Sequence, residues 1–310
     1  MAVLAAMLFT AACSTDDKTD VAESTSNAVP PIVFASEQAG TYDLWLMDPD
    51  GGRQTRLTTS DGHESSPEWS PDGTKVAFAA SPDGGPADLY VMDADDGNLR
   101  QLTHTSDCED TPTWSSDGQL IVAVSRKGCD DDPSASLVVL ASDDSGEPRQ
   151  IVEAPALWPD LSPDGRHLVY TGLNANRDDG ALWVSDPDGT NAHALLLPSV
   201  NSPSEPSWSP DSQQIAFVSP TDSYAHEDPG LWNEDVYTTD PNGMNIERVT
   251  TTAGNDHWPP AWSPDGSTLV YSSDGIEAKQ GDLMSINLDT RKVTRLTDSD
   301  TNQMLADWRP

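Results

Sequence analysis

Five times in this chain a bulky apolar residue runs into the same tight turn: "WSPDG" from Trp69 and from Trp262, "WSSDG" from Trp114, "LSPDG" from Leu161 and "WSPDS" from Trp208. The turn has a mechanism. Proline presets φ at its second position, aspartate suits the third, and glycine takes the left-handed conformation at the fourth. The leading residues fall at 69, 114, 161, 208 and 262, so the spacings are 45, 47, 47 and 54 residues. A period of that size is one supersecondary unit repeated, and it suits a four-stranded propeller blade.

Each unit has the same interior, clearest in "WSPDGTKVAFAASPDGGPADLYVMDADDGNLRQLT" from Trp69 to Thr103. A strand ends at the Trp, "KVAFAA" and "DLYVMD" alternate side chains as strands do, an Asp/Gly turn at Asp95 to Gly97 reverses the chain, and "LRQLT" makes an outer strand. Trp69, Trp114, Trp208 and Trp262 then supply wide apolar area for packing against the neighbouring blade. The stretch from Ile32 to Thr58 has three strands but no inner strand before it, while "LADWRP" at the chain end puts Trp308 46 residues after Trp262. The expected fold is all-β: a six-bladed β-propeller of four-stranded antiparallel blades, the first blade closed by the C-terminal strand Leu305 to Arg309. Closure removes two unpaired sheet edges. Composition agrees, since only 6% of residues are aromatic while Pro and Gly number 25 and 21, as many short strands and turns require.

With these residues set out, the repeat resembles the WD40-like propeller repeat of the TolB family. The Trp-Ser-Pro-Asp-Gly turn, the Asp-Leu-Tyr type strand and the terminal Leu-Thr recur in order over roughly Ile32 to Pro310. The resemblance implies a six-bladed domain of the kind that serves a periplasmic envelope protein. The chain departs from the family in leaving no room for its separate N-terminal α/β domain, so the family's duty in the Tol-Pal system is not carried over. Leu161 also replaces the Trp in blade four, and Ser136 and Ala181 open the third strand of blades three and four where Asp43, Asp88, Asp235 and Asp282 stand elsewhere. Less regular packing is expected in those two blades.

The chain opens "MAVLAAMLFTAACSTDDKTD", in which twelve apolar or small residues lead to Cys13 and an acidic run follows. That is too short to span a bilayer as a helix and reads as the core of a secretory signal. Thr10-Ala11-Ala12-Cys13 resembles a bacterial lipobox, which implies a lipid on Cys13; Thr10 stands where that motif prefers Leu, and no Lys or Arg precedes the apolar core. An ordinary cleavable signal is the alternative. The expected organisation is a signal segment over 1–13, a disordered Ser/Thr/Asp-rich tether over 14–30 and the propeller over 31–310. With Cys13 set aside, Cys108 and Cys129 remain as a pair, in two loops of blade three that lie at the same end of an antiparallel sheet. A disulfide across that hairpin base is expected, with two free thiols as the alternative.

Sixteen basic residues against 52 acidic ones give a net charge of -36, which excludes nucleic acid as a partner. Two readings of the acidity stay open: a heavily solvated surface suited to high salt, or a face for a basic partner or calcium. Variation along the repeat concentrates in the loops that enter the inner strands and in the long excursion "SPTDSYAHEDPGLWNED" of blade five. The expected partner-binding face is therefore Glu64, Glu109, Asp110, Tyr224, His226, Trp232 and His257. The opposite face carries the repeated turns, and repetition there suggests structural duty. His63, His257 and Asp256 are the candidates for a divalent cation, but no HExxH, GxSxG or clustered-ligand spacing accompanies them, and no other cofactor is expected. The reading is an exported, lipid-anchored, monomeric propeller that acts by binding, as a protein-protein interaction or scaffolding module of the cell envelope. Competing readings are a metal-assisted lyase or hydrolase acting on acidic glycans, and a recognition domain for cell-wall sugar or peptide.

Overall fold

The computed structural model describes residues 31–310 apart from 39, 83, 96, 130–134, 154, 174–179, 221–233, 252–258 and 274–280. Its strands form six four-stranded antiparallel sheets in a ring. Blade one has β1 (Ile32–Ser36), β2 (Asp43–Met47) and β3 (Thr55–Arg56); blade two has β4 (His63–Trp69), β5 (Lys75–Ser81), β6 (Asp88–Asp93) and β7 (Leu99–Gln101). Blade three has β8 (Cys108–Trp114), β9 (Leu120–Arg126), β10 (Ser136–Ala141) and β11 (Arg149–Val152); blade four has β12 (Ala156–Leu161), β13 (Leu168–Leu173), β14 (Gly180–Ser185) and β15 (His193–Ala194). Blade five has β16 (Ser204–Trp208), β17 (Ile215–Pro220), β18 (Glu234–Thr239) and β19 (Glu247–Arg248); blade six has β20 (Ala261–Trp262), β21 (Thr268–Ser273), β22 (Asp282–Asn287) and β23 (Val293–Arg295). The last strand, β24 (Gln303–Trp308), becomes the inner strand of blade one, pairing antiparallel with β1 from Ile32 opposite Trp308 to Ser36 opposite Gln303.

Closure is stitched beyond that strand. The Arg309 backbone N–H donates to the Pro31 carbonyl at 2.6 Å, and its guanidinium carbon lies 5.3 Å from the centre of the Trp69 ring in blade two. The same side chain lies across Gly73, where φ is +65° and a Cβ would come within 2.9 Å of the Arg309 Nε. Glycine eases the left-handed turn there, a position Ser212 fills in blade five at φ of 57°, and leaves room for the arginine laid on it.

The core is divided among the six blade interfaces. Trp69 packs with Val33 and Leu44 of blade one, Trp114 with Leu89 and Leu102 of blade two, Trp208 with Val169 and Leu182 of blade four, and Trp262 with Val218 and Val236 of blade five. Trp308 closes the last interface against Leu283 and Leu296 of blade six. Each indole thus covers the preceding blade, a burial of roughly 150–250 Å² apiece. At blade four Leu161 takes the position beside Val122 and Leu137, and Tyr170 joins the cluster, stacked on Trp183 with ring centres 6.5 Å apart.

The aspartate that opens the third strand anchors a polar clamp. Thr58, Thr103, Thr250 and Thr297, at the end of each outer strand, accept the N–H of the residue following that aspartate, at 2.8–2.9 Å. Arg56, Arg248 and Arg295 pair with Asp43, Asp235 and Asp282, and Gln101 donates to Asp88 at 2.9 Å. Glu64 and Glu109 from the next blades complete two of these clamps, through Thr58 and Ser60 and through Thr105. Blades three and four lack the set as a unit: Ser136 goes with Val152 and Ala156, and Ala181 with Leu196 and Pro203. Removing one partner of a buried charged group is costly, and in blades three and four the aspartate, the threonine and the next blade's acid are all replaced. Both sheets remain four-stranded, with a register shift between β10 and β11 at Leu137/Val138 and a two-residue outer strand β15.

Candidate functional site: an acidic tunnel walled by proline

Five inner strands bend at the same place, three residues before the aromatic position. Ser66, Thr111, Trp158, Glu205 and Leu305 hold φ of 50°, 45°, 51°, 55° and 54°. Proline follows the first four, as Pro67, Pro112, Pro159 and Pro206. In each case the pairing register shifts across this point, which defines a β-bulge. Blade six puts Pro259 there; its ring forbids positive φ, and β20 is cut to Ala261–Trp262. Left-handed backbone costs an L-residue roughly 1–2 kcal/mol, most for a β-branched one. Thr111 also has a buried hydroxyl without a hydrogen-bond partner. Thr111→Gly is therefore expected to stabilise the fold by about 1 kcal/mol after glycine's own entropy cost, raising Tm by roughly 2–4 °C in a thermal melt.

The bulge brings the residue just before the aromatic to the lip of the next blade. Asp307 Oδ2 accepts the Trp69 backbone N–H at 2.8 Å, Glu68 Oε1 that of Trp114 at 3.0 Å, and Asp160 Oδ2 that of Trp208 at 2.5 Å. Thr113 Oγ1 does the same for Leu161 at 3.2 Å. The indole N–H groups of Trp114 and Trp262 donate backwards to the Glu68 and Ser207 carbonyls at 3.2 and 3.1 Å. Hydrogen bonds therefore run from blade to blade around the axis, several of them ending on carboxylates.

Inside this ring is a cavity of about 550 Å³. Eleven prolines line it in two tiers, one from Pro67 through Pro112, Pro159 and Pro206 to Pro260, the other from the turns, including Pro71, Pro163, Pro210 and Pro264. Those four turn prolines are exposed, so the cavity opens on the face of the repeated turns. Each turn is braced internally, as where Ser70 Oγ donates to Asp72 Oδ1 at 2.7 Å and accepts the Lys75 N–H at 2.9 Å; the serine bond holds the Asp72 carboxyl below its ordinary range.

The tunnel carboxylates are pushed the other way. Burial raises Asp160 and Asp307 to about 7, against the pull of the Trp208 and Trp69 N–H groups, and the Asp307 charge adds to the rise at Asp160. Burial, then the charges of Asp160 and Asp307, puts Glu68 well above the usual carboxylate range. Glu205 is raised by burial and by Glu234, and its Oε2 is shut off from solvent with no hydrogen-bond partner.

The residues singled out from the sequence fall elsewhere. Glu64 and Glu109 are 3% and 1% exposed, turned into the preceding blade's clamp, so neither presents a surface to a partner. Asp110 is half-buried, accepting from Ser66 Oγ at 2.7 Å with Arg126 at 3.9 Å, and it too ties blades together. His63 is exposed and its Nδ1 accepts the Tyr42 N–H at 3.3 Å. Tyr224, His226, Trp232, Asp256, His257 and Cys13 lie outside the described residues, so His63 alone of the metal candidates can be placed. Among the described residues no group of three or more His, Cys, Asp or Glu is placed to hold a metal ion. Glu68, Asp160, Glu205 and Asp307 were missed; the available signal was the proline recurring two residues before the aromatic.

Cys108 and Cys129 are joined sulfur to sulfur with Cα atoms 4.9 Å apart. A closed loop of that length is worth roughly 3 kcal/mol in the chain-entropy model. Cys129→Ala is expected to lower stability by about that amount in a urea melt, and thiol labelling of the unfolded oxidised chain is expected to leave both residues unlabelled.

Fold and site together define a closed propeller scaffold whose axis holds an acidic, proline-walled cavity. Residues 30–180 match the family described as the tricorn protease N-terminal beta propeller domain. The chain is 28% identical over 249 residues to the Tol-Pal system protein TolB of Francisella tularensis subsp. mediasiatica, covering 78% of this chain and 53% of that protein. It thus spans about half the length of the curated relatives it matches. Among solved structures, TolB from Acinetobacter baumannii superposes with a TM-score of 0.73 at 19% identity over 91% of this chain and 67% of that one. An oligogalacturonate lyase in complex with manganese shares the fold at a TM-score of 0.58 and 19% identity over 85% and 72%. The chain is a six-bladed β-propeller similar to that of TolB.

Proposed function

We propose that the chain is a protein-interaction module of the cell envelope, exported and held at a membrane by lipid on Cys13, and that it acts by binding rather than catalysis. The observation that carries this reading is the tunnel: a rigid, ring-closed cavity open on one face, with apolar proline and indole walls and a few convergent polar groups, the usual form of a binding site. Similarity to a Tol-Pal system protein over 78% of the chain supports an envelope protein as the partner. The likeness to an oligogalacturonate lyase is one of fold, and fold does not choose function. Asp110, and separately Tyr224, His226, Trp232 and His257, which the sequence singles out, are the second set to be tested.

The test places a photo-crosslinking residue at Pro210 or Pro264 on the turn face, and separately within 221–233 of blade five, in the membrane-anchored chain. Envelope proteins captured from the turn face, and absent with the crosslinker at the outer-strand residue Leu99, are the expected result. Capture only from 221–233 would move the interface away from the turn prolines to that segment, and no specific capture from any position would refute the interaction reading.

A further inference from the structure

The tunnel holds negative charge that the chain does not balance. Asp160 on β12 and Asp307 on β24 raise the proton affinity of Glu68 on β4, Asp307 raises that of Asp160, and Glu205 on β16 is opposed by Glu234 on β18. At the level of the first three, β8 contributes Thr113, β16 Ser207 and β20 Ala261, all neutral. Among the described residues no ion pair reaches Glu68, Asp160, Glu205 or Asp307. Arg309, on the same strand extension, is laid over the Trp69 ring instead. Uncompensated carboxylates in a cavity are costly and call for a proton or a cation.

The walls say which cation. Proline has no N–H to offer, and the backbone N–H groups of Trp69, Trp114 and Trp208 are already spent on the ring. Among the described residues no Lys, Arg or His lines the cavity; beside a few hydroxyls and the unpartnered indole N–H groups of Trp69, Trp208 and Trp308, it presents carboxylates and apolar surface, with Glu205 Oε2 unpartnered. The acids stand on different blades and do not gather as metal ligands do. A guanidinium, with five N–H donors fanned across a plane, spans separated carboxylates as a bare ion does not, and it stacks on indole faces such as Trp158 and Trp308 that line the cavity. The geometry points to a tunnel that receives an arginine side chain from a partner segment inserted through the turn face, held by Asp160, Asp307 and Glu68. This rests on the reading of the chain as a protein-interaction module.

The test titrates the full chain with the blocked peptide Gly-Arg-Gly, its Gly-Gln-Gly analogue and calcium chloride alone, by calorimetry near pH 7 in two buffers of different ionisation heat. Expected are binding of the arginine peptide at least tenfold tighter than the glutamine one, and proton release on binding, because the cation draws protons off Asp160 and Asp307. Asp160→Asn with Asp307→Asn, which keeps oxygens for the Trp208 and Trp69 N–H groups, is expected to weaken the arginine peptide at least tenfold and abolish proton release. Glu205→Gln serves as the second variant should the pair fail to melt cooperatively, with a loss of affinity expected there too. Equal binding of the two peptides, or stoichiometric calcium binding removed by the same variants, overturns the proposal. Turn-face crosslinking that persists while the peptides fail to discriminate would remove the arginine assignment and leave the interaction reading standing; absence of any capture would remove both.

Discussion

A chain cut after Gln303 is expected to lose its cooperative thermal transition or to associate into oligomers. The missing piece is β24 beyond its first residue together with Arg309 and Pro310, and three kinds of contact go with it. The inner edge of β1 is left unpaired along Ile32 to Ser36, a template for another chain. Ile32, Phe34, Leu283 and Leu296 lose Ala306 and Trp308 from their shared interface. The Trp69 backbone N–H loses its Asp307 acceptor, and the Arg309 stitch over Trp69 and Gly73 disappears. Together these losses are comparable to the roughly 5–15 kcal/mol that hold a typical domain folded. Circular dichroism melts and light scattering on the truncated chain decide the matter. A monomer melting within about 5 °C of the full chain would show that closure by β24 contributes little.

The second large effect is that acidification is expected to stabilise this protein from pH 8 down to about pH 5, the reverse of ordinary acid denaturation. Asp160 and Asp307 have folded values of about 7, above those of an unfolded chain, so the folded state binds the extra protons. The stability linked to those protons is complete below the unfolded carboxylate range and is lost as pH rises through about 7. A Tm higher by roughly 5–10 °C at pH 5.5 than at pH 8 is the expected size, allowing for the partial solvent access of both groups. The general repulsion of a chain of charge -36 acts in the same direction but is screened by salt. The measurement is therefore made in high salt, and repeated with Asp160→Asn and Asp307→Asn. The double variant should melt higher than the parent at pH 8 and nearly level with it at pH 5.5. A parent whose Tm is flat or falling on acidification would mean that solvent reaches these acids freely.

The two predictions share one cause. Asp307 belongs to the closing strand and to the tunnel at once, so the group that completes the ring also belongs to the acid set inside it.

What the sequence by itself determined was the architecture. A turn whose residues each meet a backbone demand, repeated at 45 to 54 residues and followed by alternating strands, leaves few solutions other than a blade, and the unmatched strands at the two ends called for their pairing in blade one. These are local or near-local properties, set by φ preferences and the two-residue period of a strand. The site was not local. Glu68, Asp160 and Asp307 stand 92 and 147 residues apart along the chain and meet only because the ring closes. Each is one residue before the aromatic position, where an ordinary strand would send it to the other side of the sheet, and a bulge marked in the sequence only by a recurring proline turns it toward the next blade. Repetition on the turn face suggested duty confined to structure, yet sixfold repetition around an axis is what builds a tunnel. Glu64 and Glu109 show the converse: acids in variable loops suggested a surface for a partner, and tertiary packing buries them against the preceding blade, where each accepts from threonine or serine hydroxyls. Turn chemistry and strand period could be read residue by residue, whereas the direction of a carboxylate depended on which blade came to lie beside it.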